Sequence, residues 1–352
     1  MNIVQKLKEK YNLSIWLDYL DKEILEILPS WVKERKIYGI TTNPTIFNNA
    51  IKKFPEKYFE KVKKFDYLEV IEDLMIEDVK KACEIMLPIF EENEYQDGLV
   101  SIEVPPYIAY NIDKTIEKAK ALWHKIDMPN VMIKIPATNE GIQALKQLYR
   151  NNININVTLL FSINNYQKVI HAYKETDSNS ISVASFFVSR VDTVIDSLIL
   201  KMKDSQIIPQ EDYEDLVGKV AVANSLMAYE IYEKSFANQK KVQRILWAST
   251  STKNPSYNPL KYVIELLTPN SINTIPLNTY QTLIQTEIDL EKAEKIVEKN
   301  KQEAQKTISK LIKYVNFDYI LEELLYKGVS LFSDSYNSII DSILSNLKLI
   351  KK

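Results

Sequence analysis

The residue best suited to covalent chemistry is a lysine set in an apolar, strand-like run, Val131-Met132-Ile133-Lys134-Ile135-Pro136, followed at once by Ala137-Thr138-Asn139-Glu140-Gly141, which reads as a turn into a helix. Strand alternation puts Met132, Lys134 and Pro136 on one face and Val131, Ile133 and Ile135 on the other, so the amine points where an aliphatic side chain would normally pack. Lysine is rarely fully buried without a partner, and burial disfavours the charged form, the condition under which an amine becomes nucleophilic near neutral pH. The inert alternative is a snorkelling or ion-paired lysine at a strand end.

Other polar residues interrupt apolar segments in the same way. Asp18 lies in Ser14-Ile15-Trp16-Leu17-Asp18-Tyr19-Leu20, Asn43 ends Thr41-Thr42-Asn43-Pro44, and Glu103 lies in Ser101-Ile102-Glu103-Val104. Asn156 and Thr158 alternate in Asn154-Ile155-Asn156-Val157-Thr158, while Ser185 follows Val183-Ala184 with Arg190 five residues later. Singly, each has a plain structural reading: Asp18 and Asn43 as helix caps, Thr158 as an ordinary strand residue, Arg190 as an ion pair at a helix start. Together with Lys134 they repeat one arrangement over six segments, which coincidence explains poorly.

The elements that must position these groups alternate. Short apolar or β-branched segments at 14–20, 39–43, 99–104, 131–136, 154–161, 181–187, 244–250 and 271–277 read as eight strands. Helical patterns fill the intervals, among them 112–126, 141–151, 165–173, 191–202 and 213–236. Eight βα units over a span of about 250 residues predict an α/β protein of the (β/α)8 TIM barrel type, with an open doubly wound sheet as the alternative. In such a barrel the chemistry sits at the C-terminal ends of the strands, where the polar residues above converge. The interval 44–97 holds enough pattern for two or three helices, and 190–243 has a break near Ile208-Pro209. No linker rich in Pro, Gly or Ser divides the chain, so a single domain is expected over 1–352. Its residues 1–285 would form the barrel with helical insertions, and 286–352 a set of charged helices packed on the barrel, so that additional helices lie at both chain ends. The short basic end Asn346 to Lys352 reads as a solvated helix terminus in preference to a membrane contact.

Composition narrows the function. The 352 residues carry 45 basic and 47 acidic side chains for a formal net charge of −2, spread without a basic patch, so no nucleic-acid partner is expected. Cys83 is the one cysteine, which excludes an internal disulfide and a cysteine-based metal cage; it reads as a packed core thiol. His124 and His171 sit in helix-like segments and are expected neither as ligands nor as bases. The N-terminal segment lacks the apolar core of a secretory signal, and no stretch approaches the roughly 20 apolar residues of a membrane span, so a cytoplasmic protein with no membrane partner is expected. Five glycines stand where average usage of about 7% would supply roughly 25, and no Walker or dinucleotide fingerprint occurs. Any phosphate must then be held by side chains and helix N-termini.

Several of these segments resemble the transaldolases, specifically the longer bacterial-type branch. The matching runs are Ser14 to Asp18, Gly39 to Thr45, Val131 to Gly141, Asn156 to Ser162, Ser182 to Asp192 and Leu246 to Pro255, in the family's order over roughly residues 14–280. The resemblance implies that Lys134 is a Schiff-base lysine, that Glu103, Asp18 and Thr158 form an acid–base group working through a bound water, and that Asn43, Asn156 and Ser185 hold substrate hydroxyls and the carbinolamine. It implies that Arg190 binds phosphate, with Lys253 as a second phosphate contact. Glu103 and Phe187 are the positions at which the related small fructose-6-phosphate aldolases are expected to differ. The implied reaction moves a dihydroxyacetone unit from sedoheptulose 7-phosphate to glyceraldehyde 3-phosphate in the non-oxidative pentose phosphate pathway, without metal or organic cofactor. The sequence leaves monomer against homodimer undetermined. The alternatives are a Schiff-base aldolase releasing dihydroxyacetone, and a catalytically silent barrel in which Lys134 is merely ion-paired to Glu103. Three positions depart from the family pattern: Pro105, expected to shift the strand end after Glu103; a shortened 171–181 segment; and Leu277 in place of a common acidic residue.

Overall fold

The computed structural model describes residues 1–59 and 67–350, with the side chains of all of these except 59, 67 and 346–350. Eight strands close into a barrel in sequence order: β1 Ser14–Leu17, β2 Gly39–Thr41, β3 Leu99–Glu103, β4 Val131–Pro136, β5 Ile155–Leu160, β6 Ser182–Phe187, β7 Gln243–Ala248 and β8 Ile272–Ile275. Every strand residue is buried, as expected where helices cover one face of a sheet and the barrel interior fills the other. The strand pairs are parallel, with Leu17 opposite Ile40, Gly39 opposite Leu99, Glu103 opposite Lys134, and Leu246 opposite Ile272. The alternative of an open sheet is thereby excluded.

The chain falls into two compact units. One comprises Met1–Ile15, Thr158–Lys174 and Val183–Tyr326; the other comprises Trp16–Val157, Glu175–Ser182 and Lys327–Lys352. In the first, Arg244 near the start of β7 is buried, and its guanidinium donates to Ser14 Oγ at 2.8 Å, Ser271 O at 2.9 Å and Asn12 O at 3.3 Å. It thus ties together the N-terminal ends of β1, β7 and β8, the stability face of such a barrel. In the second, the helices that follow strands start on side-chain caps. Asp21 Oδ1 accepts from Ile24 N, Asn43 Oδ1 from Ile46 N, and Thr138 Oγ1 from Gly141 N. The Thr138 hydroxyl also donates to Ala109 O at 2.6 Å, and a Cβ at Gly141 would stand 2.1 Å from Pro136 O, so the turn after β4 admits only glycine there. The C-terminal helix Phe317–Ile350 meets the helix Pro44–Lys53 after β2 and the 3-10 turn Pro106–Ile108 after β3: Ser335 Oγ lies 2.8 Å from Thr45 Oγ1, and the rings of Tyr336 and Tyr107 are 5.8 Å apart edge to face.

The sequence pattern differs from the structure in three places. The helical stretch read over 213–236 is two helices, Gln210–Leu216 and Val220–Phe236, because Gly218 adopts φ +68° between them. The strand read as 14–20 ends at Leu17, leaving Asp18 in the loop beyond it. Pro105 does shorten β3, which ends at Glu103 before the 3-10 turn Pro106–Ile108, yet Val104 N still donates to Lys134 O at 3.2 Å, so the register at Glu103 is kept. The side chains of the basic terminus from Asn346 onward lie outside the described residues.

Candidate active site

Lys134 sits in the middle of β4 with 4% of its surface exposed, and its register partner on β3 is Glu103, 3% exposed. Directly opposed residues of adjacent parallel strands project to the same side. The amine donates to Thr42 O at 3.1 Å and stands 3.6 Å from Glu103 Oε2, an ion contact longer than a hydrogen bond. A carbonyl and a carboxylate are therefore the polar groups held against this nitrogen. Below them on β3 and β5, Asn156 Nδ2 donates to Ser101 Oγ at 3.0 Å, both side chains being fully buried.

Asp18 and Asn43 lie just past β1 and β2 and are half-buried. Asp18 Oδ1 accepts from Thr41 Oγ1 at 2.7 Å, so Asp18 is fixed across the strands and is no helix cap; the cap of the next helix is Asp21. Asn43 does cap the helix Pro44–Lys53, accepting from Ile46 N at 3.0 Å. That bond uses its carbonyl oxygen and orients the amide nitrogen, the donor end, away from the helix.

On the first unit, Thr158 is fully buried on β5, and its hydroxyl has no hydrogen-bond partner among the described residues. A buried hydroxyl without a partner costs about 1–3 kcal/mol, so its retention calls for an explanation. The next residue, Leu159, has φ +56°, a left-handed conformation rare for a bulky side chain inside a strand. It interrupts the pleat immediately after Thr158. On β6, Ser185 is buried and shares a strand face with Phe187, whose ring lies 5.2 Å from that of Phe161. Arg190, in the first turn of the helix Ser189–Asp204, places its guanidinium 5.4 Å from the centre of the Phe187 ring. Val188 provides that helix with no side-chain cap. Lys253 is exposed on the loop after β7, its amine donating to Ser251 Oγ at 2.8 Å.

Apart from Asn156, which is the second residue of β5, each residue singled out by sequence lies on or beyond the C-terminal half of its strand, in the loop-side position that barrel enzymes use for chemistry. Three partners escaped notice: the Thr42 carbonyl, Thr41 and Ser101. Ser101 had a signal, since it shares the inward face of β3 with Glu103. The role of the Thr42 main chain has no signature in residue type. Among the described residues, no group of three or more His, Cys, Asp or Glu side chains is placed to hold a metal ion.

Residues 15–343 match the family described as transaldolase/fructose-6-phosphate aldolase. Similar curated proteins include a transaldolase of Trichodesmium erythraeum, 37% identical over 97% of this chain and 96% of its own length. A transaldolase 2 of a Nostoc species is 36% identical over 99% of each chain. A transaldolase of Mycolicibacterium smegmatis is 35% identical over 97% of this chain and 96% of its own length. With a buried lysine facing a carboxylate across two barrel strands, and relatives of this identity along nearly its full length, the chain belongs to the transaldolase/fructose-6-phosphate aldolase family.

Proposed function

We propose that this protein is a transaldolase that carries a dihydroxyacetone unit on Lys134, taking it from sedoheptulose 7-phosphate and delivering it to glyceraldehyde 3-phosphate. The observation that carries this reading is the amine of Lys134 held inside the barrel between Thr42 O and Glu103 Oε2. In the proposed reaction the unprotonated amine adds to the ketose carbonyl, and loss of water gives an iminium. The iminium is an electron sink: a base takes the proton of the C4 hydroxyl, the C3–C4 bond breaks, and the aldose phosphate leaves. The enamine that remains then attacks the acceptor aldehyde, and water releases the new ketose and restores the amine.

Glu103 and Asp18 are the carboxylates available for these proton transfers, and they differ in setting: one is buried beside the amine, the other half-buried and bonded to a threonine. Two carboxylates in unlike environments suit the separate parts of acid and base. Thr158 offers a hydroxyl with no hydrogen-bond partner among the described residues, suited to holding a reacting water. Asn43 presents amide donors, Asn156 and Ser185 further polar groups for sugar hydroxyls, and Phe187 an apolar wall. Arg190 and Lys253 are the cations assigned to the substrate phosphate.

The test is reductive trapping. Borohydride added with fructose 6-phosphate should label the protein by one dihydroxyacetone unit, and the label should vanish in Lys134→Met. A protein that stays unlabelled is the silent barrel. Product analysis without an acceptor aldehyde then separates the two activities in the family description, since a transferase releases little free dihydroxyacetone and an aldolase releases it continuously.

A further inference from the structure

We propose that Asp192 and Asp196 are positioning residues for the phosphate end of the site: through Tyr262 and Tyr257 they hold the loop bearing Lys253 against the helix bearing Arg190. The inference rests on the assignment of Arg190 and Lys253 to phosphate. It adds a set of residues to which neither the sequence pattern nor the family description gives a part.

The two aspartates are one turn apart on the helix Ser189–Asp204, and each spans the same two segments. Asp192 Oδ1 accepts from Ala221 N at 2.7 Å and its Oδ2 from Tyr262 OH at 2.8 Å. Asp196 Oδ1 accepts from Gly218 N at 2.8 Å and its Oδ2 from Tyr257 OH at 2.6 Å. One donor of each pair is a backbone N–H, Gly218 in the break between the helices Gln210–Leu216 and Val220–Phe236 or Ala221 in the first turn of the second helix, and the other is a phenol from the segment after β7. Gly218 belongs to this device: it has φ +68°, and a Cβ there would come within 2.7 Å of the Tyr257 hydroxyl. Lys261 packs over the two phenols, 5.6 Å and 5.7 Å from the rings of Tyr257 and Tyr262, while its amine bonds Glu265 at 2.7 Å.

The other end of the loop is fastened to the same helix. Val188 N donates to Ala248 O at 3.0 Å, Ser189 N donates to Ser249 O at 2.9 Å, and the hydroxyls of Ser189 and Ser249 lie 2.9 Å apart. Between these anchors, residues 253–256 are exposed, and a tight turn leads from Lys253 to Tyr257. In it Asn254 Oδ1 accepts from Ser256 N at 3.0 Å, and Asn254 O accepts from Tyr257 N at 3.1 Å. Fixing Tyr257 therefore fixes the backbone four residues from the Lys253 amine.

The arrangement is costly for a core. Burial and the neighbouring Asp196 push the Asp192 carboxyl up to about 7, and burial raises Asp196 as well. Well-packed apolar residues would stabilise the same junction more cheaply. What carboxylates add is direction, since each of their four bonds is short and specific, and the helix they brace begins with Arg190.

The experiment compares fructose 6-phosphate with unphosphorylated fructose as donor in wild type, Tyr257→Phe and Asp196→Asn. Loss of one part-buried hydrogen bond from the brace should raise KM for fructose 6-phosphate about three- to tenfold, leaving kcat and the use of fructose unchanged. Lys253→Ala should show the same phosphate-selective loss, and adding Tyr257→Phe to it should cost nothing further, because both act on one contact. Equal losses with both donors, or no change with either, would overturn the inference while borohydride labelling of wild type still upholds the enzyme. An unlabelled wild type would remove both together.

Discussion

The surroundings of Lys134 and those of Arg190 and Lys253 solve opposite problems. At Lys134 the reactive group itself is buried, and the groups that hold it are strand neighbours set by register: Glu103 directly across, Thr42 O one strand further. At Arg190 and Lys253 the cations are half-buried and exposed, and what is buried is the support behind them, with Asp192 fully covered and Asp196 half-buried one turn further along the helix. Covalent chemistry needs an amine stripped of water, whereas phosphate capture needs cations that reach into it but are aimed. The comparison teaches that rigidity in this barrel is placed on the reactive atom in one case and one layer behind the charge in the other.

The largest effect that could break this contrast is at Lys134. Lys134→Met should lower turnover on the order of a thousandfold or more and lose the borohydride label. It should also lower stability by about 3–5 kcal/mol in urea unfolding, because Glu103 is left buried beside an apolar chain. Adding Glu103→Gln should restore most of that stability and none of the activity. If activity returned, the amine would not be the nucleophile.

Asn43 comes next. Asn43→Asp keeps a capping oxygen for the helix Pro44–Lys53 but exchanges the outward donors for an acceptor, so the melting temperature should hold while turnover falls on the order of a hundredfold. Asn43→Ala should lose as much activity and about 1 kcal/mol of stability besides. A thermal shift without loss of turnover in either variant would reduce Asn43 to a cap.

Thr158→Val sharpens the contrast by separating function from folding. The hydroxyl has no hydrogen-bond partner to lose among the described residues, so unfolding free energy should stay level or rise by about 1 kcal/mol, while turnover falls about ten- to a hundredfold. Loss of stability instead would show that the hydroxyl is satisfied inside the fold.

The smallest effect concerns pH and belongs to the brace. Asp192 titrates near 7 in the folded chain, against about 4 when unfolded, so between these values the folded state holds a proton that the unfolded state has released. Stability should therefore fall as pH rises from about 4 to about 7, by a few kcal/mol in all, and level off above that window. Asp192→Asn should flatten the slope in a urea series across it. An unchanged slope would mean that the carboxylate is ionised throughout.

The barrel was legible because its strands are buried on both faces: every one of the eight apolar segments read from the sequence overlaps an observed strand, with β7 beginning one residue earlier than read. The groups around Lys134 were legible for the same reason, since a polar side chain in a two-sided apolar run stands out. The helix 213–236 was misread because its apolar period runs unbroken through Val217-Gly218-Lys219, and only the left-handed φ at Gly218 divides it. Asp192 and Asp196 were not legible at all. At a spacing of four residues they look like the solvated face of an amphipathic helix, and the tyrosines that donate to them lie 61 and 70 residues further along the chain. The Thr42 carbonyl is equally silent, because a main-chain acceptor has the same formula at every position.

That carbonyl has a stereochemical consequence. An amine that has become an iminium keeps a single hydrogen on nitrogen, and Thr42 O, 3.1 Å from Nζ, is placed to receive it. Accepting that hydrogen halts rotation about the bond between Nζ and the lysine chain, so the plane of the carbon–nitrogen double bond is set by the backbone after β2. A sugar attached there would offer the same side to every incoming aldehyde, and the handedness of the new carbon–carbon bond would be dictated by a peptide group.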